Sequence, residues 1–235
     1  MIMKAVILAG GQGMRLLPLT EETPKVLVEI GGKPFLYYLL NNVVKAGFDK
    51  IAIVVRFKKE KIKKFLKDYG FEVTLIEQKE HLGTADAIKS TEKFVGNENF
   101  VCIHGDNLFS VNDLKQMKID DEHCYVAGLK HKNPEKYGVL VTDEKKFLVS
   151  MPEKPKKFVG DVINAGLYMF TPEIFGAVKK IDKSSRGEFE INDAIMLLAK
   201  EKKVKVKKLD DFWLDLGNKE DIVSIESFVR EGKHR

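Results

Sequence analysis

Gly10, Gly11 and Gly13 are followed closely by Arg15, and Lys25 stands directly after Pro24. Glycines carry no Cβ, so consecutive backbone N–H groups at such a turn can crowd against an anion. An arginine and a proline-fixed lysine beside the turn add two permanent cations. These residue types predict a cradle that grips a polyphosphate from several sides. A second spot carries metal chemistry: Phe100–Leu108 contains an apolar strand ending at Gly105-Asp106. A carboxylate at a strand's carboxyl edge, next to a glycine that leaves room, suits a hard cation with oxygen ligands, and Asp106 is the candidate. Cys102, His104 and Asp106 alternate onto one side of that strand. A soft-metal site there would need a second Cys/His pair, and none is near in sequence.

Two commoner glycine loops fit poorly. A dinucleotide fingerprint needs a third glycine where Leu16 stands, and no helix-forming run opens there. A Walker loop ends in Gly-Lys-Ser/Thr, whereas Gly32-Lys33-Pro34 puts a proline in place of the hydroxyl.

The cradle must hang from a rigid element, and the apolar run Ala5–Ala9 predicts a buried strand that empties straight into it. Val26–Ile30 reads as a short strand, and Gly31-Gly32 as a turn into a helix with Pro34 in its first turn. Phe35/Leu36, Leu39/Leu40 and Val43/Val44 recur every four residues, and Gly47 supplies the stop. Ile51–Val55 is the next strand. In the Lys-rich helix that follows, Ile62, Phe65, Leu66 and Tyr69 share one face and the lysines take the solvated side. Phe71–Glu77 completes a βαβαβ alternation, which predicts a parallel sheet covered by helices on both faces, with ligands at its carboxyl edge. A helix is expected from Gly83 to about Phe94, and strands at Tyr125–His131, Gly138–Asp143, Phe147–Met151 and Asp161–Phe170. Strands in succession without helices predict antiparallel pieces that extend the sheet into a lip over the site. Ile191, Ala194, Ile195, Leu198 and Ala199 form a helical face, Phe212–Gly217 an edge strand and turn, and Lys219 to Phe228 a closing helix.

With 235 residues, 44% of them hydrophobic, the chain buries one sizeable core and reads as one domain. A net charge of +5 from 40 basic and 35 acidic residues is a mild excess that suits a small anionic substrate. Basic and acidic residues alternate and no aromatic-rich basic segment occurs, so nucleic acid is not an expected partner. Cys102 and Cys124 form no C-x-x-C pair, which fits a reduced compartment. No secretory h-region and no long apolar run are present, so a soluble, cytoplasmic protein with no membrane partner is expected.

From Gly10 to Lys25 the pattern G-G-x-G-x-R-L-x-P-L-T-x-x-x-P-K is matched without a gap. It resembles the signature of the sugar-1-phosphate nucleotidylyltransferases of the glucose-1-phosphate thymidylyl and uridylyl type. That resemblance implies an α/β fold class, a Rossmann-like three-layer α/β/α arrangement with a mixed, mostly parallel central sheet and an antiparallel sugar-binding extension. It implies one domain over residues 1–235, with 1–110 mainly on the nucleotide side and 111–235 mainly on the sugar-phosphate side and closing helix. By the same resemblance Arg15 and Lys25 are catalytic, and Leu8, Ala9, Gly10, Gly11 and Gly13 bind the nucleotide. The segment Glu77–Ile88 resembles the family's base-reading segment, which adds Gln78, Gly83 and Thr84 to the nucleotide site. His81 stands where some uridylyl members carry a glutamine, so the base stays open.

Tyr137-Gly138, Glu153-Lys154-Pro155 and Asn164–Tyr168 resemble the elements that line the family's sugar-phosphate pocket. They imply that Gly138, Glu153, Lys154 and Asn164 contact the sugar, with Lys154 on its phosphate. Glu190-Ile191-Asn192-Asp193 resembles the family's E-I-T-D, with asparagine for threonine, and implies Glu190 on the sugar. On their own, Glu190 and Asn192 also admit a reading as helix N-terminal capping. Trp213-Leu214-Asp215-Leu216-Gly217 resembles the element that supplies a second carboxylate, so Asp215 would join Asp106 on a Mg²⁺ ion.

The implied reaction is displacement at the α-phosphorus of a nucleoside triphosphate, dTTP or UTP favoured, by a sugar 1-phosphate, glucose 1-phosphate favoured, with pyrophosphate leaving. The nucleophile is already ionised, so no general base is needed. Guanylyl or cytidylyl transfer to a mannose- or heptose-type sugar phosphate or to phosphocholine is the neighbouring alternative. A non-catalytic nucleotide-sugar sensor is the alternative of another class. It is expected to lack one of Arg15, Lys25, Asp106 and Asp215, and all four are present. Family members associate in several ways, which leaves a homo-oligomer open. The chain stops soon after the closing helix, so no β-helical or acetyltransferase extension is expected.

Overall fold

The computed structural model describes residues 3–232. Strand β1, Lys4–Leu8, is the apolar run expected ahead of the glycines, and the Ala9 N–H still bonds the Val54 carbonyl at 2.8 Å as the chain leaves it. Val26–Ile30 is not one strand. Pro24 starts a 3₁₀ turn over Lys25–Leu27, whose end is held by Leu27 N–H to Pro24 O and Val28 N–H to Lys25 O. Only β2, Glu29–Ile30, is extended, and it pairs with β3, Lys33–Pro34, across Gly31 and Gly32, both at positive φ.

Helix α1, Phe35–Lys45, follows directly, with Pro34 just ahead of it rather than inside. Its end is closed by Gly47 at φ 79° and by Phe48 N–H on Val43 O. Strand β4, Lys50–Val55, leads to α2, Lys59–Tyr69, which buries Ile62, Phe65 and Leu66 and leaves its lysines outside. Strand β5 is Thr74–Glu77, shorter than the expected 71–77, because Phe71 N–H is taken by Leu66 O to cap α2. The helix expected from Gly83 to Phe94 is two: α3, Thr84–Lys89, and α4, Glu92–Val95. Ser90 and Thr91 break it, their hydroxyls donating to the Ala87 and Ile88 carbonyls and offering the backbone a local alternative to the helix.

Strand β6, Phe100–His104, is followed by β7, Asn107–Phe109, and by α5, Val111–Gln116, capped by the Ser110 hydroxyl on Asp113 N–H. Strand β8 is Cys124–Lys130. The expected strand 138–143 shrinks to β9, Val141–Thr142, while Gly138 and Val139 make single bridges to Glu153 and Ile163. Strand β10, Leu148–Ser150, pairs antiparallel with β9, and β11, Val162–Phe170, returns to the main sheet. Then come α6, Glu173–Val178, and α7, Ile191–Lys200, whose five expected apolar residues are all buried. Strand β12, Val204–Lys208, precedes β13, Trp213–Asp215, and α8, Lys219–Arg230. The last helix opens with a reciprocal cap between Asn218 and Asp221. α5, α6 and β12 had no counterpart in the sequence pattern.

The central sheet has the order β12-β8-β11-β6-β1-β4-β5, and only β11 runs against the other strands. Alternate residues of each strand feed two cores. On one face Ile7, Ile53 and Ile103 meet Leu36, Leu40 and Phe65 of α1 and α2. On the other Val6, Val54, Phe100 and Cys102 meet Ala85, Phe175, Ile191 and Ile195 of α3, α6 and α7. This is the expected three-layer arrangement, with burial of each of the Val, Leu, Ile and Phe side chains contributing about 1.5–3 kcal/mol. β13 is not an edge strand of this sheet: it forms a separate ribbon with β7. Among the described residues no helix is long and apolar enough to cross a membrane.

Candidate functional site

The carboxyl ends of β1, β4, β5 and β6 face one edge of the sheet, and there two pockets adjoin. The smaller, about 190 Å³, is lined by Leu8, Ala9, Gly10, Gly11, Gln78, Gly83 and Thr84. The larger, about 500 Å³, takes Gly13 and Arg15 on one side and Gly138, Glu153, Lys154, Asn164 and Glu190 on the other. Lys25, His104 and Asp106 belong to both pockets, and Asp215 to the larger.

The glycine turn is pinned rather than floppy. Gly13 sits at φ 69°, and a Cβ there would stand 2.9 Å from Thr20 Cγ2 and 3.0 Å from Lys25 Cβ. The Thr20 hydroxyl donates to Gly13 O at 2.7 Å. Lys25 is thus packed against the turn, and its Nζ donates to Asp106 Oδ2 at 2.6 Å. Arg15 is exposed and, among the described residues, pairs with no carboxylate.

Asp106 and Asp215 are far apart in sequence and are brought together by the β7–β13 ribbon. Asp215 lies opposite Asn107, and Leu216 N–H bonds Asp106 O at 2.9 Å. Burial alone would raise the Asp106 pKa, but the Lys25 charge, His104 and the Lys25 hydrogen bond outweigh it and hold the carboxyl below its ordinary value. Asp215 is pushed up to about 6, by burial first and then by the negative charge of Asp106. Two carboxylates that repel each other beside a cation are a set of hard oxygen donors suited to a divalent ion. Cys102 is fully buried in the apolar core, where burial pushes its thiol pKa up and keeps it protonated, and burial holds His104 below its usual pKa.

The sugar-side residues come from irregular backbone. In β11 the register slips between Asn164 and Tyr168, with Gly166 at φ 75°, and this bulge turns Asn164 into the pocket. Its Oδ1 accepts from Gly166 N–H, and its Nδ2 donates to the Tyr168 hydroxyl at 3.0 Å. Lys154 adopts φ 46°, a conformation that costs a non-glycine residue energy, and it is exposed at the pocket rim. Glu190 lines the pocket, but its Oε1 is engaged by Arg186 Nη2 at 2.7 Å. Glu190 makes no side-chain cap on α7; the Thr84 hydroxyl accepts the Ile191 N–H instead, at 3.0 Å.

His104, Tyr137, Gly166, Arg186 and Trp213 also line the larger pocket, and sequence reading assigned none of them a contact, although His104 shares a strand side with Asp106 and Tyr137, Gly166 and Trp213 lie within the pocket motifs. Arg186, in the loop Ser184–Gly187, had a signal: a cation four residues ahead of a carboxylate already assigned to the site.

Gly83 joins the two sides. It sits at φ 95°, and a Cβ there would lie 2.5 Å from Phe189 O, while Ala85 N–H bonds that same carbonyl at 2.9 Å. Gly83→Ala is therefore expected to destabilise the protein by roughly 2–4 kcal/mol, read as a lower melting temperature. An unchanged melting curve would show that the Phe189 backbone yields freely.

The family model described as nucleotidyl transferase matches residues 4–232. The chain belongs to the nucleotidyl transferase family. The motif resemblance holds, and with it the enzyme class, sugar-1-phosphate nucleotidyltransferase. The UTP–glucose-1-phosphate uridylyltransferase AglF of Haloferax volcanii is 35% identical over 97% of both chains. The bifunctional protein GlmU of Methanocaldococcus jannaschii is 38% identical over 97% of this chain, which spans about half (54%) of that relative. A D-glycero-alpha-D-manno-heptose 1-phosphate guanylyltransferase of Campylobacter jejuni is 35% identical over 93% of this chain and 96% of its own. A solved UDP-glucose pyrophosphorylase with UDP-glucose superposes with a TM-score of 0.88, 26% identity and coverage of 99% and 100%.

Proposed function

We propose that this protein transfers a nucleotidyl group from UTP or dTTP to a sugar 1-phosphate, glucose 1-phosphate in preference, releasing pyrophosphate. The observation that carries the reading is the convergence of Lys25, Asp106 and Asp215 where the smaller pocket opens into the larger. In this reading the smaller pocket takes the base and the glycine turn takes the triphosphate. The larger takes the sugar, with Lys154 on its phosphate. Residues 1–110 then serve mainly the nucleotide and 111–235 mainly the sugar phosphate. Attacking and leaving groups are both anionic, so Arg15 and Lys25 act by neutralising charge and holding the reactants in line. A Mg²⁺ ion on Asp106 and Asp215 would supply further charge neutralisation on the triphosphate. Two buried, free cysteines accord with a reduced, cytoplasmic setting.

Guanylyl transfer is the second reading, favoured by His81, which lines the smaller pocket where some uridylyl members carry glutamine. Pyrophosphate release across UTP, dTTP, GTP and CTP, each with glucose 1-phosphate and mannose- and heptose-type phosphates, tests both. The expected result is turnover with UTP or dTTP and glucose 1-phosphate. Turnover with GTP alone selects the second reading, and release with no pair rejects transfer.

A further inference from the structure

We infer that Asp86 is a positioning residue that locks the Gln78 amide with its carbonyl oxygen toward the base pocket, so that the site takes uracil or thymine and turns away cytosine. The inference rests on the reading that the smaller pocket holds the base. Gln78 directly follows β5, its own N–H bonded to Val55 O at 2.9 Å, and the residue is 5% exposed. The two ends of a glutamine amide have nearly the same shape, so its partners decide which end faces the ligand. Here Nε2 lies 2.9 Å from Asp86 Oδ2 and 3.1 Å from Gly83 O. A carboxylate and a carbonyl only accept, so turning the amide over would set oxygen against oxygen twice.

With the amino end held against α3, Oε1 faces Gly10. A Cβ on Gly10 would stand 3.0 Å from that oxygen, so glycine is what leaves it open. A fixed acceptor calls for a donor on the ligand. Uracil and thymine carry a hydrogen on N3, whereas cytosine presents a lone pair there, which leaves a buried acceptor facing another acceptor. Asp86 is itself held in place, because α3 is tied to Phe189 through Ala85 N–H.

Asp86→Asn tests this, since an asparagine can donate to Gln78 Oε1 and free the amide to turn. Dissociation constants for UTP and CTP with Mg²⁺ are measured calorimetrically on the wild type, Asp86→Asn and Gln78→Ala, beside KM and kcat for UTP. Wild type is expected to bind UTP about tenfold or more tighter than CTP, and Asp86→Asn to narrow that ratio by about tenfold, CTP gaining as UTP loses. The effect falls on KM more than on kcat. A gain for CTP is something a merely structural role would not produce. Asp86→Asn with the wild-type ratio, or a wild type without preference, overturns the inference. If Gln78→Ala loses the ratio while Asp86→Asn keeps it, Asp86 alone is misassigned. If Gln78→Ala keeps it, the base-pocket reading falls too. Binding is read without turnover, so a failure of pyrophosphate release bears on the reaction and not on this result.

Discussion

Lys25→Ala is expected to lower kcat by roughly 10²–10³, about 3–4 kcal/mol, at saturating UTP and glucose 1-phosphate. Lys25 is held by packing against the Gly13 turn, belongs to both pockets and reaches Asp106 at 2.6 Å. Its side chain is 16% exposed, so its charge acts where solvent screens little. An alanine removes that charge from the point where an anionic nucleophile must meet an anionic phosphorus centre. Arg15→Ala is expected to cost a similar factor, with a larger share in KM for the triphosphate, because Arg15 is exposed and not already committed to a carboxylate. Steady-state pyrophosphate release on variants that fold by circular dichroism decides the matter. Near-normal turnover in both would remove them from the catalytic assignment.

Asp215→Asn is expected to stabilise the protein in EDTA at pH 8 while lowering turnover with Mg²⁺ by on the order of 10² or more. The carboxyl is pushed from an ordinary 3.8 up to about 6 by burial and by Asp106. The folded state therefore holds this proton more tightly than the unfolded chain does. Stability is highest below the unfolded pKa and is lost as pH rises through about 6. An amide never ionises, so the variant escapes that loss, worth roughly 2–3 kcal/mol above pH 7 and nothing near pH 3. Thermal melts from pH 3 to 8 in EDTA, repeated with Mg²⁺, read both halves. In Mg²⁺ the wild type is expected to recover stability that the variant does not. A variant less stable than wild type in EDTA at pH 8 would contradict this account of Asp215.

The layered fold was legible because two periodicities dominate the chain. Ile51–Val55 is a short apolar run within a βαβ alternation, which reads as a covered strand, and Ile191 through Ala199 repeat at helical spacing; both are found so. The misreadings lie where local hydrogen bonds compete with those periods. Pro24 turned Lys25–Leu27 into a 3₁₀ turn, and the Ser90 and Thr91 hydroxyls cut one helix into two. Within the site, the glycine turn and its cations are contiguous in sequence and could be read directly. Asp215 could not be placed from spacing, because its approach to Asp106 depends on a ribbon between two short strands far apart in the chain. His104 and Tyr137 stood beside assigned residues in the sequence, His104 on the strand side of Asp106 and Tyr137 next to Gly138, but only the packing of β6 and of the turn before β9 shows that their own side chains line the pocket.

That ribbon also carries the chain's single tryptophan. Trp213 is half-buried beside Tyr137 and His131, with its indole N–H on Ala165 O at 3.0 Å, at the wall of the larger pocket. The protein therefore has one indole fluorophore, seated two residues from Asp215 and in contact with the bulged strand that presents Asn164. Its emission is expected to report both the packing of the ribbon and occupancy of the pocket, without background from any other indole, so that refolding and ligand titration share an optical signal that needs no label.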